Sequence, residues 1–374
     1  MHTFIKLLLV VNLAAIGACA SPPRSDGRDD PRLAVFRDRL KALRAETKVQ
    51  SLSVALVHDG RIVLAQGLGW QDHDAEEPTT PYTTYLVASI TKTFTAATLL
   101  AMDADGHIDL DDDFTTLSDW DDRCEWLTSV GIIFGGGTLD DGALVEAPRC
   151  DAAISLRQVL QHRVQGEPGR AFFYNPVVFG RLANWIEENT DRTFRQWMHQ
   201  YVLEPAELDR VAAGWRDPDR GIALTHLAPP FRLAPEQSDG IDPSRLPNPE
   251  LNASSGIIAS AIDLANYSIA LDEGRILSPA LRETIWTPPL DANGQPAPYA
   301  YGWYVQRWRG HRLVWHTGWW PDAYAGLLLK APDDGWTLVA LANTDGLNWP
   351  NPLNDAQVQN SPIGRLFLEL FLSE

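Results

Sequence analysis

Apolar residues recur at helical spacing over residues 32–48, where Leu33, Phe36, Leu40 and Leu43 share one face. A continuous apolar run at 52–57, a His58-Asp59-Gly60 turn and a second run at 61–67 predict a β-hairpin. Residues 89–104 are apolar almost throughout and predict a buried helix, opened by Ser89 and stopped by Asp105-Gly106. Helical spacing returns at 155–163, 177–188, 193–203 and 261–272. The pattern then changes to strands at 302–308, 312–316, 325–330 and 336–342, the last two joined by Pro332-Asp333-Asp334-Gly335. An amphipathic helix at 361–372 closes the chain, and no internal repeat is visible.

Strands lie at both ends and helices between them. Strands joined by tight turns pair antiparallel. The expected fold is therefore α/β of the α+β type: an antiparallel sheet built from both termini and flanked by helices, with an inserted, mostly helical lobe. The α/β lobe takes residues 32–105 and 251–374, and the helical lobe 106–250, with long Pro-rich loops at 229–250. The cleft between two such lobes is the expected place for a site.

Composition narrows the partners. The chain has 374 residues, 45% of them hydrophobic and 21% charged, which is globular usage. Its net charge of −18 repels phosphate, so nucleic acid and anionic lipid are excluded as partners of the protein surface. Leu7 to Ala18 is an apolar stretch behind Lys6, too short to span a bilayer and suited to a secretion leader over residues 1–20. Ile16-Gly17-Ala18-Cys19 resembles a lipobox with Cys19 as the lipidated residue, and Ala18-Cys19-Ala20 equally fits ordinary cleavage. Residues 21–31 read as a linker, and 32–374 as the domain. The expected location is the bacterial cell envelope, in the periplasm or lipid-anchored through Cys19, or outside the cell.

Three cysteines are an odd number. If Cys19 carries lipid, Cys124 and Cys150 remain as a pair, and a disulfide would close an excursion containing Gly135, Gly136 and Gly137. Two separate buried thiols are the other reading. No Cys or His spacing suggests a metal, and no cofactor is expected.

The candidate chemistry begins at Ser89-Ile90-Thr91-Lys92, the only S-x-x-K in a chain with 26 Arg and five Lys. Positions i and i+3 share a helix face, so the Lys92 amine can reach the Ser89 hydroxyl. Serine is a weak nucleophile until a base takes its proton, and a buried lysine can lose its own proton and serve as that base, which arginine cannot. The competing reading is a Ser89 cap with Lys92 reaching out to solvent. Tyr174 lies in an aromatic cluster and suits either core packing or proton transfer. His316-Thr317-Gly318 ends a predicted strand, where Gly318 would admit a close backbone approach.

Taken together and in order, these pieces resemble the class C β-lactamase-like family of serine hydrolases, which holds β-lactamases, DD-peptidases and esterases. Ser89 to Lys92 matches its nucleophile motif, and Asp105 to Asp112 its G-x-L-x-L-D-D turn. Leu156 to His162 is similar to its L-R-x-L-L-x-H helix, Ala253 to Leu264 to its A-G-G-L-x-S-T-x-x-D-L stretch, and His316-Thr317-Gly318 to its K/H-T/S-G strand. The resemblance implies that Ser89 is the nucleophile and that Lys92 and Tyr174 move protons. It implies an oxyanion hole from the Ser89 and Trp319 N–H groups, and a substrate whose polar end is held by His316, Thr317 and Gly318. Trp319 and Trp320 follow that motif and suit an aromatic acyl subsite or plain packing.

Two departures bear on the substrate: His162 is not followed by the family's usual T-S-G, with a very short loop from there to Pro168, and the second lies beside Tyr174. The family's Tyr-x-Asn reads Tyr174-Asn175-Pro176 here, so a proline replaces the asparagine that binds a substrate's side-chain amide. Asn175 is the neighbouring amide that could reach in. An exported serine hydrolase with a covalent acyl-enzyme is therefore expected, acting on a small-molecule or peptide-like acyl substrate, esters favoured. A β-lactamase or D-Ala-D-Ala carboxypeptidase is the alternative within the class. A non-catalytic binding or sensor protein on the same fold is the alternative outside it.

Overall fold

Helix α1 (Pro31–Glu46) opens the fold; Asp30 accepts from the Arg32 N–H at its start, and Pro31 has no N–H to satisfy there. The computed structural model describes residues 30–373 apart from 73–75, 131–132, 140–141, 220, 235–239 and 248–249. The expected leader, Cys19 and the linker as far as residue 29 thus lie outside the described residues. Strands β1 (Ser51–His58), β2 (Arg61–Asp72), β3 (Glu77–Pro78) and β4 (Thr84–Leu86) lead into α2 (Thr91–Ala104). The middle of the chain carries α3 (Trp120–Ser129), α4 (Leu156–Leu160), α5 (Pro176–Gly180), α6 (Leu182–Asn189), α7 (Phe194–Met198) and the short strand β5 (Ala212–Ala213). Strand β6 (Ile257–Ser260) and helices α8 (Ala261–Asp272) and α9 (Pro279–Ile285) follow. The chain closes with β7 (Tyr304–Trp308), β8 (His311–Trp320), β9 (Tyr324–Ala331), β10 (Trp336–Ala342) and α10 (Pro362–Phe371).

The main sheet runs β7-β8-β9-β10-β1-β2-β3, and β1 lies antiparallel to β10 from Leu52↔Ala342 to His58↔Trp336. The two ends of the chain therefore meet in one sheet, as the pattern predicts. Side chains alternate between its faces. Leu52, Val54, Leu56, Leu338 and Ala340 pack with the apolar stripe of α1 and with α10. Ala55, Val57, Val339 and Leu341 pack with α2 and α8. Both faces are covered, which is why β1 is an unbroken apolar run. A second sheet, β4-β6-β5, stands beside α2.

Several boundaries differ from those the pattern predicts. Ser89 does not open the long helix: Ala88–Ile90 is a separate 3₁₀ turn, and no side chain caps either that turn or α2. The helix expected over 177–188 breaks at Arg181 into α5 and α6, and that over 193–203 ends in a π-helical turn, His199–Leu203. Strand β8 continues past Gly318 to Trp320.

Candidate active site

The turn before α2 is clamped from two sides. The Val87 N–H donates to Ile257 O of β6 at 3.0 Å, and the Ile90 N–H donates back to Val87 O at 3.1 Å. Across from it, β8 comes so close that a Cβ on Gly318 would lie 2.1 Å from Val87 O. Between these supports Ala88 takes φ 45°, a left-handed conformation that a residue with a Cβ adopts at a cost of about 1–2 kcal/mol. That bend carries the chain from β4 into α2 and leaves Ser89 partly exposed at the junction.

Lys92, one turn along α2, is fully buried. Its Nζ is 3.0 Å from Ser89 Oγ and donates to Ser254 O at 3.0 Å. The rings of Tyr174 and Phe179 lie 5.0 and 5.4 Å from the same nitrogen. Burial among these groups pushes its pKa well below the ordinary 10.5. The alternative of a capping Ser89 and a solvent-seeking Lys92 is thereby set aside. Gly302 makes the burial possible, because a Cβ there would meet Lys92 O at 2.4 Å.

Tyr174 is buried beside this pair. Burial raises its phenol above the ordinary 10, and its hydrogen bond with Ser89 pulls the other way. Its N–H is held by Leu353 O at 2.9 Å. Asn175 does not reach in. It is the N-cap of α5, accepting from the Val178 N–H at 3.1 Å, with Pro176 in the first helical position. Neither residue offers a free side-chain amide at this point.

On β8 the strand geometry separates the residues of the expected motif. Val305 of β7 donates its N–H to Pro298 O, away from β8, so the alternation turns Tyr304 and its partner Trp315 toward each other. Thr317 and Trp319 point their N–H groups to the same side, beyond the end of β7. Side chains alternate too. His316, Gly318 and Trp320 face α2, where Trp320 packs on the core, while Thr317 and Trp319 face the other way. Trp319 keeps 47% of its surface exposed. Thr317 Oγ1 donates to Gly326 O at 3.0 Å.

His316 is fully buried. Its Nδ1 donates to Thr317 O at 2.7 Å, which leaves Nε2 to accept from the Tyr299 hydroxyl at 3.0 Å. Burial and the nearby Lys92 lower its pKa to about 3, so the ring is neutral. Tyr299, Phe179 and the Ser254 carbonyl were not singled out from the sequence. Ser254 alone had a signal, since it lies in the stretch that resembles the family's A-G-G-L. Cys124 and Cys150 are joined, with Cα atoms 5.7 Å apart. Among the described residues no group of three His, Cys, Asp or Glu side chains is placed to hold a metal ion.

A family model described as beta-lactamase matches residues 36–361. The chain belongs to that family. Family members here are serine hydrolases on the β-lactamase fold. The D-aminopeptidase of Gluconobacter oxydans is 25% identical over 277 residues, covering 71% of this chain and 50% of that protein, so the chain spans half the length of this relative. Among solved structures, the octameric penicillin-binding protein homologue from Pyrococcus abyssi superposes with a TM-score of 0.69 at 20% identity, over 90% of this chain and 77% of the other. The D-amino acid amidase from Ochrobactrum anthropi in complex with D-phenylalanine superposes with a TM-score of 0.63 at 16% identity, over 90% and 98%. Those likenesses establish the fold.

Proposed function

We propose that this chain is an exported serine acyl-hydrolase that works through a covalent acyl-enzyme, with neutral esters as preferred substrates and small amides next. The observation that carries the reading is Lys92 Nζ, buried with no acidic partner among the described residues and 3.0 Å from Ser89 Oγ. As a neutral amine it accepts the Ser89 proton while Oγ attacks the acyl carbon. The Ser89 and Trp319 N–H groups stabilise the developing oxyanion. Tyr174, kept as a phenol by burial, gives its proton to the leaving group and is reprotonated through Lys92. Water then attacks the acyl-enzyme by the reverse relay.

Two features favour esters over β-lactams. Asn175 is committed to a helix cap, so this segment leaves a substrate's acylamino group without its amide partner. His316, neutral and internal, supplies no positive charge for a substrate carboxylate. The likeness to a D-aminopeptidase and a D-amino acid amidase supports small amides with an unacylated amine as the second substrate class. The Cys124–Cys150 disulfide supports export to an oxidising compartment, since such bonds persist there.

The test is covalent. A fluorophosphonate should add once, mass mapping should place it on the Ser89 peptide, and Ser89→Ala should lose both the adduct and ester turnover. An unlabelled, folded wild type would turn the reading to a binding or sensor protein.

A further inference from the structure

Asn175 follows Tyr174 directly, is fully buried, and commits every polar group it has. Its N–H donates to His162 Nδ1 at 3.0 Å, its carbonyl accepts from the Phe179 N–H at 3.2 Å, and its Oδ1 caps α5. Its Nδ2 donates to Gln165 Oε1 at 2.8 Å and to Phe134 O at 3.0 Å. The His162 ring packs 4.4 Å from the Tyr174 ring, centroid to centroid. Asn175 therefore joins the backbone of Tyr174 to everything on its far side.

That far side is the excursion closed by Cys124 and Cys150, 26 residues apart. Phe134 lies within it. Gln165 lies outside but is tied to its last residues: Gln165 Nε2 donates to Glu146 O at 2.8 Å, and the Gly166 N–H donates to Ala147 O at 3.1 Å. The excursion holds Asn175 directly through Phe134 O and indirectly through Gln165, and a covalent bond holds the excursion's own ends together. Breaking that bond removes the covalent tie behind both grips, which depend on where residues 134 and 146 sit.

We propose that Asn175 is a positioning residue for Tyr174, and that the disulfide state of Cys124 and Cys150 sets how well Tyr174 is placed, the disulfide being the fast form and the dithiol the slow one. The inference rests on the role given to Tyr174 above. The redox step is thiol–disulfide exchange with a dithiol reductant. A thiolate of the reductant attacks the sulfur of Cys150, which is partly exposed where Cys124 is buried, and Cys124 leaves as the thiolate. The reductant's second thiol then releases Cys150 and closes to its own disulfide. Two electrons and two protons pass to the protein. The consequence is geometric, since a proton-transfer group displaced by about 1 Å can cost ~100-fold in rate.

The experiment measures kcat and KM for a p-nitrophenyl ester on the oxidised protein, on the same protein reduced with dithiothreitol, and after reoxidation, all well below the unfolding midpoint of either form. The expected result is a reversible fall in kcat of about tenfold or more with KM little changed. Tyr174→Phe should be slow from the start and indifferent to reductant, and Gln165→Ala should lower kcat of the oxidised form and shrink the reductant's effect. The double variant Cys124→Ser/Cys150→Ser should match the reduced form. Unchanged kcat on reduction, with thiol titration showing two more free thiols than in the oxidised form, overturns the proposal. So does an equal fall in Tyr174→Phe, which is the signature of a merely structural disulfide. Absence of turnover in the oxidised wild type overturns the catalytic reading, and this inference with it.

Discussion

The Tyr299 hydroxyl donates to Nε2 of His316 at 3.0 Å with both rings fully buried. That one bond fixes the tautomer, because the Nδ1 proton must then serve Thr317 O. The imidazole thus sits as a brace between β8 and the aromatic packing of Tyr174, Tyr299 and Tyr304. The strand it braces carries Trp319, whose N–H is proposed above to meet the oxyanion.

Removing the brace should cost stability before chemistry. Tyr299→Phe leaves Nε2 of His316 buried without a donor, which costs about 1–3 kcal/mol. Denaturant unfolding should show that loss with an unchanged slope, and ester kcat/KM should fall by about tenfold or less. A Tyr299→Phe protein as stable as wild type would show that the ring finds another donor.

Lys92 should act as a base and not as a charge. At low pH the amine is protonated and cannot accept from Ser89, so kcat/KM should climb as pH rises through a pKa well below 10.5. Lys92→Arg keeps a cation that does not deprotonate, and it should be as inactive as Lys92→Ala across the whole range. Substantial activity in the Arg variant would make Lys92 an electrostatic support.

Much of this site is legible in the sequence because it rests on short-range geometry. The i, i+3 spacing puts Lys92 under Ser89, and the apolar run around them buries the amine. The continuous apolar runs at 52–57 and 336–342 likewise need only local pattern. What is not legible depends on contacts far apart in the chain. Ser89 reads as a helix cap, but Ile257 and Gly318 force the preceding turn into a 3₁₀ geometry with Ala88 at positive φ. His316 reads as a ligand to substrate, and nothing in the local pattern shows that Tyr299 lies beside it. Asn175 reads as a spare amide until its partners, Phe134 and Gln165, are in place. Helix α3, with only Trp120, Cys124 and Leu127 buried, has too narrow an apolar stripe to stand out from its acidic surroundings.

A second titrating pair lies away from the site. His199 Nε2 is 3.0 Å from Asp217 Oδ2, where the π-helical turn packs on α2. The hydrogen bond to Asp217 raises the His199 pKa above 6.5. Bonds from His199, Asp219 and Ala213 outweigh burial and lower that of Asp217 below 3.8. The raised histidine stabilises the fold fully below 6.5 and loses its contribution as pH climbs through the folded value. The lowered aspartate contributes fully above 3.8 and loses its share as pH falls through its own folded value. The pair is therefore at full strength between 3.8 and 6.5. His199→Gln should lower Tm most inside that window, and the gap to wild type should narrow at alkaline pH. A gap independent of pH would mean that the pair contributes through packing alone.

Substrate choice gives the sharpest test of the altered Tyr174-Asn175-Pro176 motif and of the neutral histidine on β8. A cephalosporin such as nitrocefin presents an acylamino side chain and a carboxylate. The first meets a segment whose amide, Asn175, already holds a helix cap and two carbonyl oxygens. A desolvated amide without a partner costs about 1–3 kcal/mol, or roughly 5- to 150-fold. The second meets a strand whose histidine is neutral, so no charge offsets the carboxylate's desolvation. A p-nitrophenyl ester lacks both groups and pays neither cost. Its kcat/KM should therefore exceed that for nitrocefin by about 100-fold or more. The two causes separate by substitution. His316→Lys should raise the nitrocefin rate relative to the ester only if the strand position faces the carboxylate. Pro176→Asn should do so only if the first residue of α5 faces the acylamino group. Efficient nitrocefin hydrolysis by the wild type would overturn the ester preference, because it would show that neither contact is needed. A gain from one variant alone would assign the discrimination to that position.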